Sequence, residues 1–220
     1  MTTDFAATMV DALDFMPYVV PQAPGVDPNE FIHALRRAID RFCAWTWVWR
    51  DSTPAITVEQ GINLYPLTMP DDAKLAKVIQ VAYYGDDVGL QPRFLAAVTA
   101  DNADTMEREY KSRGCHWYML PDARTLRLVA TPLHSGTAIV TCAFRPTTTA
   151  MTFPQILLDD YADAIAAGTL ANLKAVVGKP YSDMPGSAEN NRLFLGYVGQ
   201  AKIEAEQGFS RAVLDSAMAW

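Results

Sequence analysis

The residues through which this chain could bind a metal or attack a substrate are few: His33, His116 and His134, and Cys43, Cys115 and Cys142. Only Cys115 and His116 are adjacent, and neighbours on a strand project to opposite sides, which is poor geometry for joint ligation. There is no C-x-x-C, and the cysteines are odd in number and far apart. No disulfide framework follows, and a reducing compartment is the simplest context. Cys43 lies in an apolar helical run and reads as an inert buried thiol. His134-Ser135-Gly136 is a turn signal rather than a nucleophile elbow. Carboxylate pairs occur at Asp71-Asp72, Asp86-Asp87 and Asp159-Asp160. The first two are turn formers. The third falls in the opening turns of a helix, where the dipole favours negative charge. No glycine-rich phosphate loop is present. The reading is a protein without catalytic residues, metal or cofactor; a small hydrolase using Cys115 and a histidine is the enzymatic alternative.

Partners are a better prospect than chemistry. Trp45, Trp47 and Trp49 alternate, a strand-like spacing just beyond a helical run. Such a stripe could stack on bases, but large aromatics more often fill a core or a subunit contact, and that reading is preferred. The 220 residues carry a net charge of −7. Backbone affinity for nucleic acid comes from Lys and Arg neutralising phosphates, so this balance argues against a general nucleic-acid binder. The one local basic cluster, Arg36, Arg37 and Arg41, fits a solvated helix face. The last residues include Phe209, Val213, Leu214, Met218 and Trp220. A segment so rich in large apolar side chains either packs back on its own helices or docks into another subunit.

The elements that must position these residues follow from periodicity and punctuation. Half of the residues are hydrophobic and a fifth are charged, enough for a packed core. A short helix is predicted over Phe5, Met9 and Leu13, then an extended linker punctuated by Pro17, Pro21, Pro24 and Pro28. Asp27-Pro28-Asn29-Glu30 is a strong helix start, with Phe31, Leu35, Ala38, Ile39 and Phe42 on the buried face. Strands are predicted at 55–59 and 62–67, joined as a hairpin through Gln60-Gly61, and at 75–84, 117–120, 126–129 and 137–144. A surface helix spans 101–110. Residues 153–204 read as two antiparallel helices. The first carries Leu157 or Leu158, Tyr161, Ile165 and Leu173 on one face and stops at Gly178-Lys179-Pro180; the second carries Leu193, Tyr197, Ala201 and Glu204. The N-terminal stretch carries Asp4, Asp11 and Asp14 with no Lys or Arg before Arg36, unlike a signal peptide. No apolar run is long enough to span a bilayer.

Within 153–204 the order of Pro154, Asp160-Tyr161, Ile165, Gly168, Leu170, Leu173, Pro180-Tyr181-Ser182-Asp183 and Phe194 resembles the head-to-tail adaptor proteins of tailed bacteriophages, including the tail tubular protein A type. Tyr65-Pro66-Leu67 and Arg145-Pro146 extend the resemblance, which is thin from residue 96 to 113. It implies an α+β protein: a helical bundle subdomain built from both chain ends (1–52 and 151–220) with an inserted β-rich subdomain (53–150). It also implies a dodecameric ring in the virion, made in the bacterial host cytoplasm. That ring would lie below the portal protein and above a downstream tail or nozzle protein, lining a channel for double-stranded DNA, with no membrane partner. Portal docking would fall to Phe209, Val213, Leu214, Met218 and Trp220. A closed ring needs two different faces of each subunit in contact. Tyr161, Ile165 and Gly168 on one side, and Trp45, Trp47 and Trp49 on the other, are the candidate subunit faces. On this reading Gly168→Leu blocks ring assembly and leaves the monomer folded. The alternative function is a nucleic-acid-binding accessory protein that uses the tryptophans as a stacking platform.

Overall fold

Strand β1 (Met9–Asp11) finds its partner more than a hundred residues away. In the computed structural model, which describes residues 8–85, 91–110 and 114–207, it pairs antiparallel with β11 (Thr152–Pro154), Val10 opposite Phe153. The chain divides into two units. One spans Arg50–Phe144, and the other joins the described parts of Ala7–Trp49 and Arg145–Trp220.

In the unit made from the two outer segments, Asp11 ends β1 and starts a 3-10 turn, Ala12–Phe15. Its carboxylate accepts from the Leu13 amide at 2.8 Å, and the Asp14 carboxylate accepts from the Asp11 amide at 2.9 Å. Helix α1 (Met16–Val19) and a second 3-10 turn, Val20–Gln22, follow. The prediction of a helix over Met9 is thereby corrected to a strand, because Met9–Asp11 has a backbone partner in β11; Phe5 lies outside the described residues. The predicted extended linker is also corrected. Pro17 and Pro21 sit in the first turns of short helices, where a missing N–H costs nothing.

Helix α2 (Pro28–Thr46) begins where its signals put it. Asp27 Oδ1 accepts from the amides of Asn29 (2.8 Å) and Glu30 (3.4 Å). Its buried side holds Phe31, Leu35, Ala38, Ile39 and Phe42. The helix continues through Trp45 to Thr46, so the tryptophans are not a strand. Trp47 closes it in the left-handed region (φ 53°), its amide donating to the Cys43 carbonyl at 3.1 Å.

The unit 50–144 is β-rich. It holds β2 (Arg50–Ser52), β3 (Ile56–Val58), β4 (Leu64–Pro66), β5 (Ala73–Gly85), β6 (Arg93–Phe94), β7 (Ala96–Ala97), helix α3 (Ala100–Tyr110), β8 (Trp117–Asp122) and β9 (Thr125–Val129), and most of β10 (Gly136–Pro146). One sheet runs β2-β10-β5-β6 with β3 also on β10, and the other runs β4-β9-β8-β7. The predicted hairpin through Gln60-Gly61 does not form. The chain turns at Gly61, but β3 pairs with β10 and β4 with β9, so the two strands enter different sheets. Ala103 of α3 packs on Met119 and Val129. Above them the Arg127 guanidinium donates to Glu107 (2.6 Å) and Asp104 (3.0 Å).

Residues 155–207 form α4 (Gln155–Asp159), α5 (Ala162–Lys174) and α6 (Met184–Gln207). The first predicted helix is therefore two, interrupted at Asp160-Tyr161. Every residue of α5 from Ala164 to Ala171 is buried, with α2 and α6 packed against it. The expected helical bundle from both chain ends is nonetheless not what forms. Among the described residues the chain has eleven strands in three sheets, and one of those sheets, β1–β11, belongs to the unit built from the outer segments. That unit is mixed because Thr152–Pro154 meets an extended partner at β1 before the chain turns helical.

Candidate interaction faces

Where α2, α5 and α6 meet, three aromatic rings close the packing. Phe42 lies 5.2 Å from Tyr161 and 6.2 Å from Phe194, centroid to centroid. Gly168 lies beneath Phe194: a Cβ there would come within 2.7 Å of its ring and 3.0 Å of the Ala38 methyl. The absent side chain lets α6 and α2 close on α5. Ile165 is fully buried and Tyr161 nearly so. The expectation that Gly168→Leu leaves the monomer folded is corrected, since the added side chain has no open face to enter.

The three tryptophans do not share one surface. Trp45 is 45% exposed, Trp47 is half-buried and Trp49 is buried. The Arg41 guanidinium lies 5.1 Å from the Trp45 ring and 4.9 Å from that of Phe194, and donates to Asn191 Oδ1 at 3.3 and 3.4 Å. The Lys202 ammonium lies 5.8 Å from the Trp47 ring. Arg41 thus ties α2 to α6 by cation–π contact.

The turn between α5 and α6 is held by polar contacts. Lys179 pairs with Glu30, the Tyr181 hydroxyl donates to the same carboxylate, and the Ser182 hydroxyl donates to the Val176 carbonyl. The bonds from Lys179 and Tyr181 hold Glu30 below the usual carboxylate range, while burial and the neighbouring Glu30 push Tyr181 up to about 12. Asp183 caps α6, accepting from the Gly186 amide at 3.0 Å.

Acidic residues gather where α4 gives way to α5. Asp159 and Asp160 border a hollow of about 340 Å³ beside Thr8 and Gln155. Asp160, Asp163 and Glu204 border another of about 160 Å³ beside Tyr197. The Tyr161 hydroxyl donates to Glu204 at 3.4 Å; burial, then the charges of Glu204 and Asp160, push it up to about 12. Asp160 lines both hollows and is itself exposed, giving this end of the helices a negative rim.

The outer side of α6 carries a feature that sequence reading missed. Leu195 and Ile203 are exposed there, Ile203 at 56%. Gly196 and Gly199 have no atom within 4 Å of an added Cβ. The signal was present in the sequence. Leu195, Gly199 and Ile203 recur at four-residue steps, opposite the buried Phe194, Val198 and Ala201.

The candidate nucleophiles are enclosed. Cys43, Cys115 and Cys142 are all buried. Burial pushes the Cys115 and Cys142 thiols up to about 12 and the Cys43 thiol higher still. Among the described residues no three His, Cys, Asp or Glu side chains are grouped to hold a metal, and no helix is long and apolar enough to cross a membrane. Phe209, Val213, Leu214, Met218 and Trp220 lie outside the described residues. No family model matches this chain, and no curated protein matches it in sequence.

Proposed function

We propose that this protein is a structural head-to-tail adaptor of a tailed bacteriophage, acting in the virion as a ring below the portal protein. The observation that carries the reading is the part played by the residues through which the chain resembles such adaptors. Pro154 ends β11 and caps α4, Tyr161 closes the aromatic cluster, Gly168 admits Phe194, and Tyr181, Ser182 and Asp183 build the turn that reverses the chain. These landmarks fall in one stretch of the chain, from the end of β11 through α6, and that contiguity supports the reading.

The function is mechanical, without substrate or cofactor. The negative rim of Asp159, Asp160, Asp163 and Glu204 would repel a DNA backbone, as a channel for passing double-stranded DNA requires. Residues 208–220 would dock the portal, and a downstream tail protein would engage another surface of the ring. The test is light scattering of the full chain mixed with the portal ring encoded beside it, with and without residues 208–220. Full-length protein joining the portal as a ring, with the shortened chain failing to join, is the expected result. No association at any ratio overturns the proposal and directs attention to the nucleic-acid-binding alternative.

A further inference from the structure

The outer side of α6 is self-complementary when two copies run antiparallel. At 100° per residue, Arg192, Leu195, Gly196, Gly199, Ile203 and Glu206 lie within about 60° of one another's mean direction around Gly199. Arg192, Leu195, Gly199, Ile203 and Glu206 are all exposed. Cross two such helices with Gly199 opposite its own copy, and the register is set. Leu195 falls against Ile203 of the second copy, and Ile203 against its Leu195. Arg192 falls against Glu206, and Glu206 against Arg192. The spacing fits because both pairs are centred on Gly199. Leu195 and Ile203 stand about 12 Å apart along the axis, and Arg192 and Glu206 about 21 Å.

We propose that a second copy of this chain covers this face, giving a two-fold dimer through antiparallel α6 helices with Gly199 at the crossing. Gly199, where an added Cβ would meet nothing within 4 Å, lets the two backbones approach closely at the crossing. Exposed leucine and isoleucine lose water there, and the charges at the two ends select the antiparallel register. Arg192 keeps its bidentate contact with Glu189 (2.7 and 3.1 Å) and gains the second copy's Glu206 on its other side. Among the described residues Glu206 pairs with Lys202 of its own chain, at 3.9 Å. A single helix pair is small as interfaces go, so the dimer is weak and depends on concentration. The inference does not rest on the adaptor reading, because it concerns the isolated protein and needs no portal.

The experiment is sedimentation velocity of the full chain alone across the micromolar range, with variants checked for helicity by circular dichroism. The expected result is a reversible monomer–dimer equilibrium. Arg192→Glu and Glu206→Arg each weaken it by about tenfold or more, and the combined variant, which restores opposite charges across the pair, recovers most of the loss. Gly199→Cys gives a cross-linked dimer on mild oxidation, whereas Ala188→Cys, off the crossing, does not. A chain that stays monomeric throughout overturns the proposal, as it would if the chain's own terminal residues covered the face. A dimer indifferent to both charge reversals, with no cross-link at position 199, overturns it as well.

Discussion

Gly168 and Gly196 show how one residue type can be required at one position and dispensable at another. A methyl at 168 would press into the buried ring of Phe194, whereas a methyl at 196 would meet nothing within 4 Å. Glycine in a helix interior costs about 1 kcal/mol relative to alanine. At 196 that cost is recoverable, so Gly196→Ala should stabilise the protein by up to about 1 kcal/mol. At 168 the same change adds a clash in a closed core, where overpacking costs about 1–3 kcal/mol, so Gly168→Ala should destabilise. Urea unfolding midpoints of the two variants should move in opposite directions, and Phe194→Leu should recover part of the Gly168→Ala loss. Equal effects from the two substitutions would mean that Phe194 does not seal α5 against α6. Sequence reading put Gly168 on a candidate subunit face, whereas within the chain its missing side chain leaves a space beneath Phe194. The neighbour that fills it was not legible, because Phe194 and Ala38 stand far from it in the chain.

Among the elements, α3 is joined to its sheet by charge as well as by Ala103. Burial pushes Glu107 up, but hydrogen bonds from Arg127 and Thr131 outweigh it and hold the carboxyl below its usual value. A carboxyl lowered in the folded state contributes stability that is present above its unfolded value of about 4.3 and lost as pH falls through the folded value. Acid unfolding should therefore draw on Glu107 below about pH 4. Glu107→Gln should give a protein less stable at pH 7 whose urea midpoint falls less steeply from neutral pH into that range. Parallel pH profiles for the two proteins would remove Glu107 from the account. Neither the pair nor its partners could be read from the sequence, since Arg127 and Thr131 reach Glu107 only once β9 lies beneath α3. The starts of elements were more legible. Asp27-Pro28 caps α2 as expected, because a cap depends on residues within a single turn.

At the scale of the whole molecule, charge dominates the outlook. A net charge of −7, with Asp159, Asp160, Asp163 and Glu204 gathered at one end of the helices, opposes contact with a phosphate backbone. Labelled duplex and single-stranded DNA should both stay free of the protein at physiological salt in fluorescence anisotropy. Binding that weakens steeply as salt rises would instead favour the nucleic-acid-binding alternative. By itself the sequence determined what short-range chemistry determines: the start of α2, the span of α3, the positions of β5, β8, β9 and β10, and the stop after α5. Each rests on neighbours within a few residues, through caps, alternation or helical periodicity. Only the tertiary structure decided the rest. It paired β1 with β11, sent β3 and β4 into separate sheets, carried α2 past Trp45 to Thr46 and turned an expected helical bundle into a mixed unit. Strand partners are chosen by backbone groups distant in the chain, and a three-residue strand such as Met9–Asp11 has too short a period to announce itself before its partner is in place.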